Sequence, residues 1–378
     1  MVLGTVSRNE PVRVGFLLVP GFSMIAFASA VEPLRLANRV AGRDIYSWSS
    51  YSVDGDPVEA SNGFSAMVHD SIFDLDHYPV MIVCSGIGAE HFGNSALFGR
   101  LRRLASHGTA MGAVCTGTYV LARAGLLDGH RCTIHWENMP GFSEEFPDIE
   151  VISELYEIDG NRFTCSGGTA AVDMMLNLIA PHVGHNIAAT VADQLMHHRI
   201  RSGYEDQRME LRSRLNISHP KLLEAIALME DSLETPLSCA ELAVHADLSP
   251  RQLERLFRKH LDRSPTRYYL GLRLDRARFL LLQTSMSILN VALACGFVSA
   301  SHFSKCYREH FGWTPSDERR SLIRSGGDSA LMGHHVVLAP GTGDGKVTPL
   351  AGKAPTRRRD RTPRAFSDHS RSYPAAAK

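Results

Sequence analysis

The chain has 378 residues, 44% hydrophobic and 21% charged, which exceeds what one hydrophobic core usually supports and predicts two domains. Lys and Arg balance Asp and Glu at 40 each, but residues 1–218 hold 16 basic against 24 acidic side chains and the remainder 24 against 16, so a polyanionic partner is expected for the C-terminal part. No run of roughly 18 apolar residues occurs, nothing reads as a secretory leader and seven cysteines lie scattered without C-x-x-C spacing, which excludes a helical membrane span and fits a reducing cytoplasm.

Over the first 200 residues, short β-rich apolar runs alternate with helical patterns, the signature of a sheet covered by helices on both faces. Residues 12–19 read as a buried strand ended by Pro20 and Gly21, and 23–40 as the helix after it. Residues 79–84 form a second central strand closing on Ser85, Gly86, Ile87 and Gly88, followed by a helix around 96–106 and a strand over 109–114 that runs straight into Cys115. Further strands are expected over 131–135, 151–158 and 162–165, with amphipathic helices over 169–179 and 186–198. Gly86 and Gly88 lack the rest of a dinucleotide fingerprint and read as a turn. His182, His185, His197 and His198 lack zinc-site spacing and read as surface or capping residues, so no metal and no cofactor is expected.

Residues 201–218 turn charged and polar, as a partly helical connector does. The pattern from 219 to 322 is helical throughout. Residues 323–378 are rich in Gly, Pro, Ser and Arg with few large apolar side chains, which predicts a disordered, mildly basic tail.

Within the helical region one pattern occurs twice. Leu242, Ala243, Ala246, Ser249, Leu253, Phe257, Arg258, His260, Ser264 and Pro265 align with Val291, Ala292, Cys295, Ser299, Phe303, Tyr307, Arg308, His310, Thr314 and Pro315, offset by 49 residues before the turn and 50 after it. Each copy reads as a short helix, a small residue that permits close crossing, a tight turn, and a second helix capped by Ser249 or Ser299. The opposite face of the second helix carries Arg251, Arg255, Arg258 and Lys259 in one copy and Ser301, His302, Ser304, Lys305 and Arg308 in the other, types suited to phosphates and base edges. A charged helix face alone is more often solvated surface; its recurrence on the second helix of two turn-separated pairs points to double-stranded DNA. Residues 265–283 read as one long helix whose length sets the two recognition helices roughly one DNA turn apart.

Residues 219–322 therefore resemble the AraC-family DNA-binding domain, whose second-unit signature stands here as Ala294-Cys295-Gly296-Phe297-Val298-Ser299-Ala300-Ser301-His302-Phe303-Ser304-Lys305, closed by Phe311-Gly312-Trp313-Thr314-Pro315. The resemblance implies that Arg251, Glu254 and Arg255, with Ala300, Ser301, Ser304 and Lys305, face bases, and that the protein activates transcription in contact with RNA polymerase. Two residues depart from the pattern: Asp262 stands where a helix-ending Gly is usual, and Glu318 where an aromatic usually follows Thr-Pro.

Upstream, Gly112-Ala113-Val114-Cys115-Thr116-Gly117-Thr118-Tyr119 puts a thiol between a strand and a helix, near a helix N-terminus that favours thiolate and anions. The segment resembles the nucleophile elbow of the PfpI-type branch of class I amidotransferases, and residues 11–200 resemble that branch's flavodoxin-like α/β sandwich, ahead of the all-α domain with two helix-turn-helix units. Enzymes of the branch carry His where Thr116 stands, and their acidic residue falls near Ala26, so Cys115 reads as a semi-buried thiol in an inherited pocket and the chain as no enzyme. The alternatives are a Cys115-dependent amidase or deglycase and a thiol redox sensor.

The fusion resembles the GlxA-type AraC regulators, and within them those of quaternary-amine and amino-acid catabolism of the glycine betaine and carnitine type. That resemblance implies a small-molecule effector in the N-terminal domain, and a homodimer through that domain is expected. Trp136 and Phe22 would offer aromatic faces to a trimethylammonium, Glu32 a counter-charge, and the Cys115–Thr116 elbow amides a contact to a carboxylate, with His135 beside Trp136 as a packing or ligand-contact residue.

Overall fold

A computed structural model describes residues 2–3, 10–75 and 77–325, with side chains described up to residue 320; the expected tail lies outside them from residue 326 onward. The N-terminal lobe is built from β1 (Val12–Leu18), α1 (Met24–Ala41), β2 (Tyr46–Ser52), the short strands β3 (Val58–Glu59), β4 (Ser65–Ala66) and β5 (Asp70–Ser71), β6 (Val80–Cys84), α2 (Ser95–Ser106), β7 (Ala110–Val114), α3 (Gly117–Arg123), α4 (Met139–Glu145), β8 (Tyr156–Asp159), β9 (Arg162–Cys165), α5 (Ala170–Val183) and α6 (His185–Gln194). One seven-stranded sheet runs β5-β2-β1-β6-β7-β9-β8, parallel except for the β8–β9 pair, while β3 and β4 make a separate hairpin.

Because strand side chains alternate faces, the central strands feed two cores. Val14, Phe16 and Leu18, with Val80, Ile82 and Cys84, pack under α1, α5 and α6. Leu17 and Val19, with Met81, Val83, Met111 and Ala113, pack on the other side with residues of α2, α3 and α4. The continuous apolar runs in the sequence are thus strands buried on both faces.

Two expectations change. Residues 131–135 form no strand of the sheet: Cys132 bridges Val151 briefly, and the neighbouring Thr133 gives its N–H to the Thr164 hydroxyl and its own hydroxyl to the carbonyls of Ile152 and Glu154, so side chains take the places of ladder partners. Of 151–158, only the end joins the sheet, as β8. Conversely, β2, whose serines hide its alternation, pairs with β1 over six positions.

The connector contains α7 (Leu211–Leu215), and the helical lobe comprises α8 (Pro220–Asp231), α9 (Cys239–His245), α10 (Pro250–Leu261), α11 (Pro265–Gln283), α12 (Ile288–Ala294), α13 (Ala300–Phe311) and α14 (Pro315–Ser325). It has two small cores. Leu222, Ile226 and Met229 meet Leu242, Leu253, Phe257 and Tyr269 in one, and Leu274, Leu280 and Leu281 meet Val291, Phe297, Phe303 and Tyr307 in the other. The long α11 contributes Tyr269 to the first and Leu274, Leu280 and Leu281 to the second, so it is the rigid spacer between two helix-turn-helix units.

Candidate DNA-binding helices and sensor elbow

Both second helices start as their sequences require. Ser249 accepts from Gln252 N–H at 3.2 Å while Gln252 accepts from Ser249 N–H at 2.8 Å, a reciprocal cap, and Ser299 accepts from His302 N–H at 3.2 Å. With their apolar stripes turned inward, α10 exposes Arg251, Glu254, Arg255, Arg258 and Lys259, and α13 exposes Ser301, His302, Lys305 and Arg308 with Ala300 and Ser304 half-buried beside them. All seven positions expected to face bases thus lie on the two helices, off the buried stripes.

The two departures are accommodated differently. Asp262 ends α10 in the left-handed conformation, φ 53°, where Gly312 ends α13 at φ 89°. Glu318 is buried and its carboxylate collects the Tyr307 hydroxyl at 3.0 Å, the Trp313 indole N–H and the Arg278 guanidinium at 3.1 Å. A polar knot replaces the usual aromatic.

In the N-terminal lobe, Cys115 sits at φ 60°, rare for a residue with a side chain, and its N–H donates to the Cys165 carbonyl at 3.0 Å. Two glycines make the elbow possible: a Cβ on Gly117 would meet the Val83 carbonyl oxygen at 2.4 Å, and one on Gly167, itself at φ 93°, would meet the Cys115 Cβ at 2.7 Å. Thr116 gives its hydroxyl to the Gly86 carbonyl at 2.5 Å, tying the elbow to the end of β6. The elbow therefore lies at the carboxyl ends of β6, β7 and β9, where ligands of open α/β sheets bind.

Its electrostatics oppose a reactive thiol. Burial, with the Glu137 carboxylate adding to it, pushes Cys115 up to about 11 against the help of the Thr116 N–H. Burial likewise pushes Cys165 up to about 12 and raises Cys84. His135 lies beside Glu137, Nδ1 to Oε2 3.8 Å, and burial lowers its pKa, which favours the neutral ring.

The aromatic and acidic residues expected around an effector separate. Phe22 does not offer its ring: it is fully buried, edge-on to Phe27 at 5.8 Å, because the chain there is held by backbone bridges to Ala60 and Gly86. Glu32 is no free counter-charge, since Arg35 one turn on donates to it at 2.9 and 2.5 Å. Trp136 is half-buried, and the Arg208 guanidinium of the connector lies 4.5 Å from its ring centroid. Arg208 also approaches Glu230 of α8 at 3.8 Å, and Arg214 pairs with Glu230 at 2.8 Å. Gln207 donates to the Thr133 hydroxyl and to the carbonyls of Ile134 and Glu154, each at 2.9 Å. The connector is thus bonded to both lobes. Sequence reading gave no role to Glu137, Gln207, Arg208 or Glu230; the first stands beside Trp136, and Gln207 and Arg208 fall in the charged connector run.

Comparison with known proteins places these features together. Residues 12–181 match the DJ-1/PfpI family and residues 242–321 a helix-turn-helix domain. The HTH-type transcriptional regulator GbdR of Pseudomonas aeruginosa is 47% identical over 333 residues, 88% of this chain and 89% of its own. CdhR of the same species is 47% identical over 307 residues, 81% and 91% of the two chains. GlxA of Rhizobium meliloti is 38% identical over 321 residues, 85% and 99%. With the elbow lobe, the paired helix-turn-helix units and relatives of matching length in hand, the chain belongs to the AraC-type HTH transcriptional regulators that carry a DJ-1/PfpI domain ahead of the DNA-binding domain.

Proposed function

We propose that this regulator is a metabolite-controlled activator, its DNA-binding domain at 219–322 and its sensor at 11–200 joined by the 201–218 connector. The observation that carries the reading is the paired exposure of α10 and α13, each with its apolar stripe in a separate core and both cores bridged by α11. Arg251, Glu254 and Arg255, with Ala300, Ser301, Ser304 and Lys305, read adjacent major-groove segments of double-stranded DNA, and tandem half-sites place the protein for contact with RNA polymerase. The effector is a quaternary amine or amino-acid derivative held near Cys115, Thr116, His135 and Trp136, with Phe22 and Glu32 withdrawn from the set for the packing and pairing given above.

The sensor is no enzyme in this reading: Thr116 follows the elbow cysteine, Ala26 is fully buried where an acid would stand, and the thiol is held protonated. Half- to mostly exposed Ile25, Phe64 and Met67, at the start of α1 and on the neighbouring β3–β4 hairpin, support a homodimer through the sensor lobe. Among the described residues no helix is long and apolar enough to cross a membrane, and the reading places the protein in the cytoplasm. The test is fluorescence-anisotropy binding to DNA upstream of neighbouring catabolic genes, over a salt series, with betaine, carnitine, choline and basic amino acids. Steeply salt-dependent, sequence-selective binding altered by one ligand is expected; absence of selective binding under every condition overturns the reading.

A further inference from the structure

Between the sensor lobe and the helical lobe lies a cavity of about 570 Å³. Trp136 and Glu137 of the sensor form one wall, connector residues 206–211 and Arg214 a second, and Glu230, Leu272, Asp275, Arg276 and Phe279 of α8 and α11 a third. Five carboxylates line it, from Glu137, Asp206, Glu210, Glu230 and Asp275, against three guanidiniums, from Arg208, Arg214 and Arg276. Two of those guanidiniums are spent on one carboxylate, Glu230. Asp275 counts least, since burial pushes its carboxyl up to about 6 and His310 approaches it at 4.0 Å. The four other carboxylates still outnumber the three guanidiniums, and the aromatic face of Trp136 already carries a cation, the Arg208 side chain.

We propose that this cavity is a binding site for a small organic cation, and that the ligand takes the place Arg208 holds on Trp136. The inference rests on the effector reading above, because Trp136 belongs to both. Arg208 acts as a built-in stand-in for the ligand. While it lies on Trp136, it holds the connector against the sensor and, through Glu230, against α8 of the DNA-binding lobe. A cation that binds Trp136 only when Arg208 leaves it has different affinities for the two arrangements, which is the condition for shifting their populations. The neighbouring bonds of Gln207 keep the connector anchored to the sensor, so the released segment is the stretch from Arg208 to Arg214 that runs to α8.

The experiment uses the full chain, tetramethylammonium as probe, and operator DNA obtained by selection. Arg208→Met removes the internal competitor. It is expected to bind tetramethylammonium about tenfold more tightly than the parent and, without ligand, to show the DNA affinity of the ligand-saturated parent. Arg208→Lys restores the cation and is expected to return both toward parental values; Trp136→Leu is expected to weaken probe binding at least tenfold. Arg208→Met with parental probe affinity and parental DNA affinity overturns the proposal, as does failure of both the parent and Arg208→Met to bind the probe. The two readings fail separately. If betaine or another metabolite shifts DNA binding in the parent and equally in Arg208→Met and Trp136→Leu, this site falls and the effector reading stands only for Cys115, Thr116 and His135, without Trp136. If no metabolite shifts it, yet Arg208→Met shows the two expected changes, this site stands and the choice of effector falls.

Discussion

Alkylation of Cys115 separates a sensor thiol from a catalytic one. Burial pushes this group from an ordinary 9.0 up to about 11. Each unit is tenfold in thiolate, so near neutral pH the thiolate fraction is about a hundredfold below that of an unperturbed cysteine. A more basic thiolate is also a better nucleophile; with a Brønsted slope of about 0.45, two units return roughly eightfold, leaving a rate about tenfold low before restricted access is counted. The assay is iodoacetamide labelling of the native chain from pH 6.5 to 10.5, with Cys115 and Cys239 peptides quantified by mass spectrometry. Cys239 is the partly exposed cysteine and serves as internal reference. Cys115 is expected to lag Cys239 throughout the neutral range and to keep accelerating at pH 10. A Cys115 rate that reaches its plateau below pH 8.5, or that outruns Cys239 at pH 7.5, would refute the argument and return the elbow to enzymology.

Three further outcomes follow from the helical lobe. Arg255→Ala and Lys305→Ala remove exposed side chains from α10 and α13, so each is expected to weaken operator binding by about 1–3 kcal/mol, roughly 5- to 150-fold, with an unchanged thermal midpoint; a parental affinity in both would remove those helices from the proposed interface. Glu318→Ala leaves Arg278, Tyr307 and Trp313 without their shared buried acceptor and is expected to cost about 3 kcal/mol or more in urea unfolding, a loss that a solvated carboxylate would not produce. Asp262→Gly relieves a left-handed residue at the end of α10 and is expected to stabilise the lobe by about 0.5–1 kcal/mol; destabilisation would mean that the aspartate side chain does more than tolerate its backbone.

Periodicity and end signals were readable along the chain because they are local. The apolar runs over 12–19, 79–84 and 109–114 could bury both faces only inside a parallel sheet, and Ser249 and Ser299 could satisfy the orphan N–H groups only at helix starts. The 49- and 50-residue offsets carried the duplicated helix-turn-helix in the same way, since each copy repeats its own small residue, cap and stripe. Strand β2 escaped because its serines break the apolar run, and residues 131–135 misled because the Thr133 N–H and carbonyl are satisfied by the Thr164 and Thr118 hydroxyls rather than by a neighbouring strand, the first across more than 30 positions.

The candidate effector site was the least legible part. Phe22, Glu32 and Trp136 are all of suitable chemistry, and only packing assigns one to the core, one to Arg35 and one to the face of Arg208. Likewise the sequence marks Glu318 only as a departure from the usual aromatic, and the partners that hold it, Tyr307, Trp313 and Arg278, come from tertiary packing. Sequence by itself determined the two lobes, most of their element types and the faces of α10 and α13, because propensity, capping and alternation act within a few residues. Tertiary structure alone decided which polar groups meet across the lobes, because a charge's partner, burial and pKa depend on neighbours that the chain brings together from far apart.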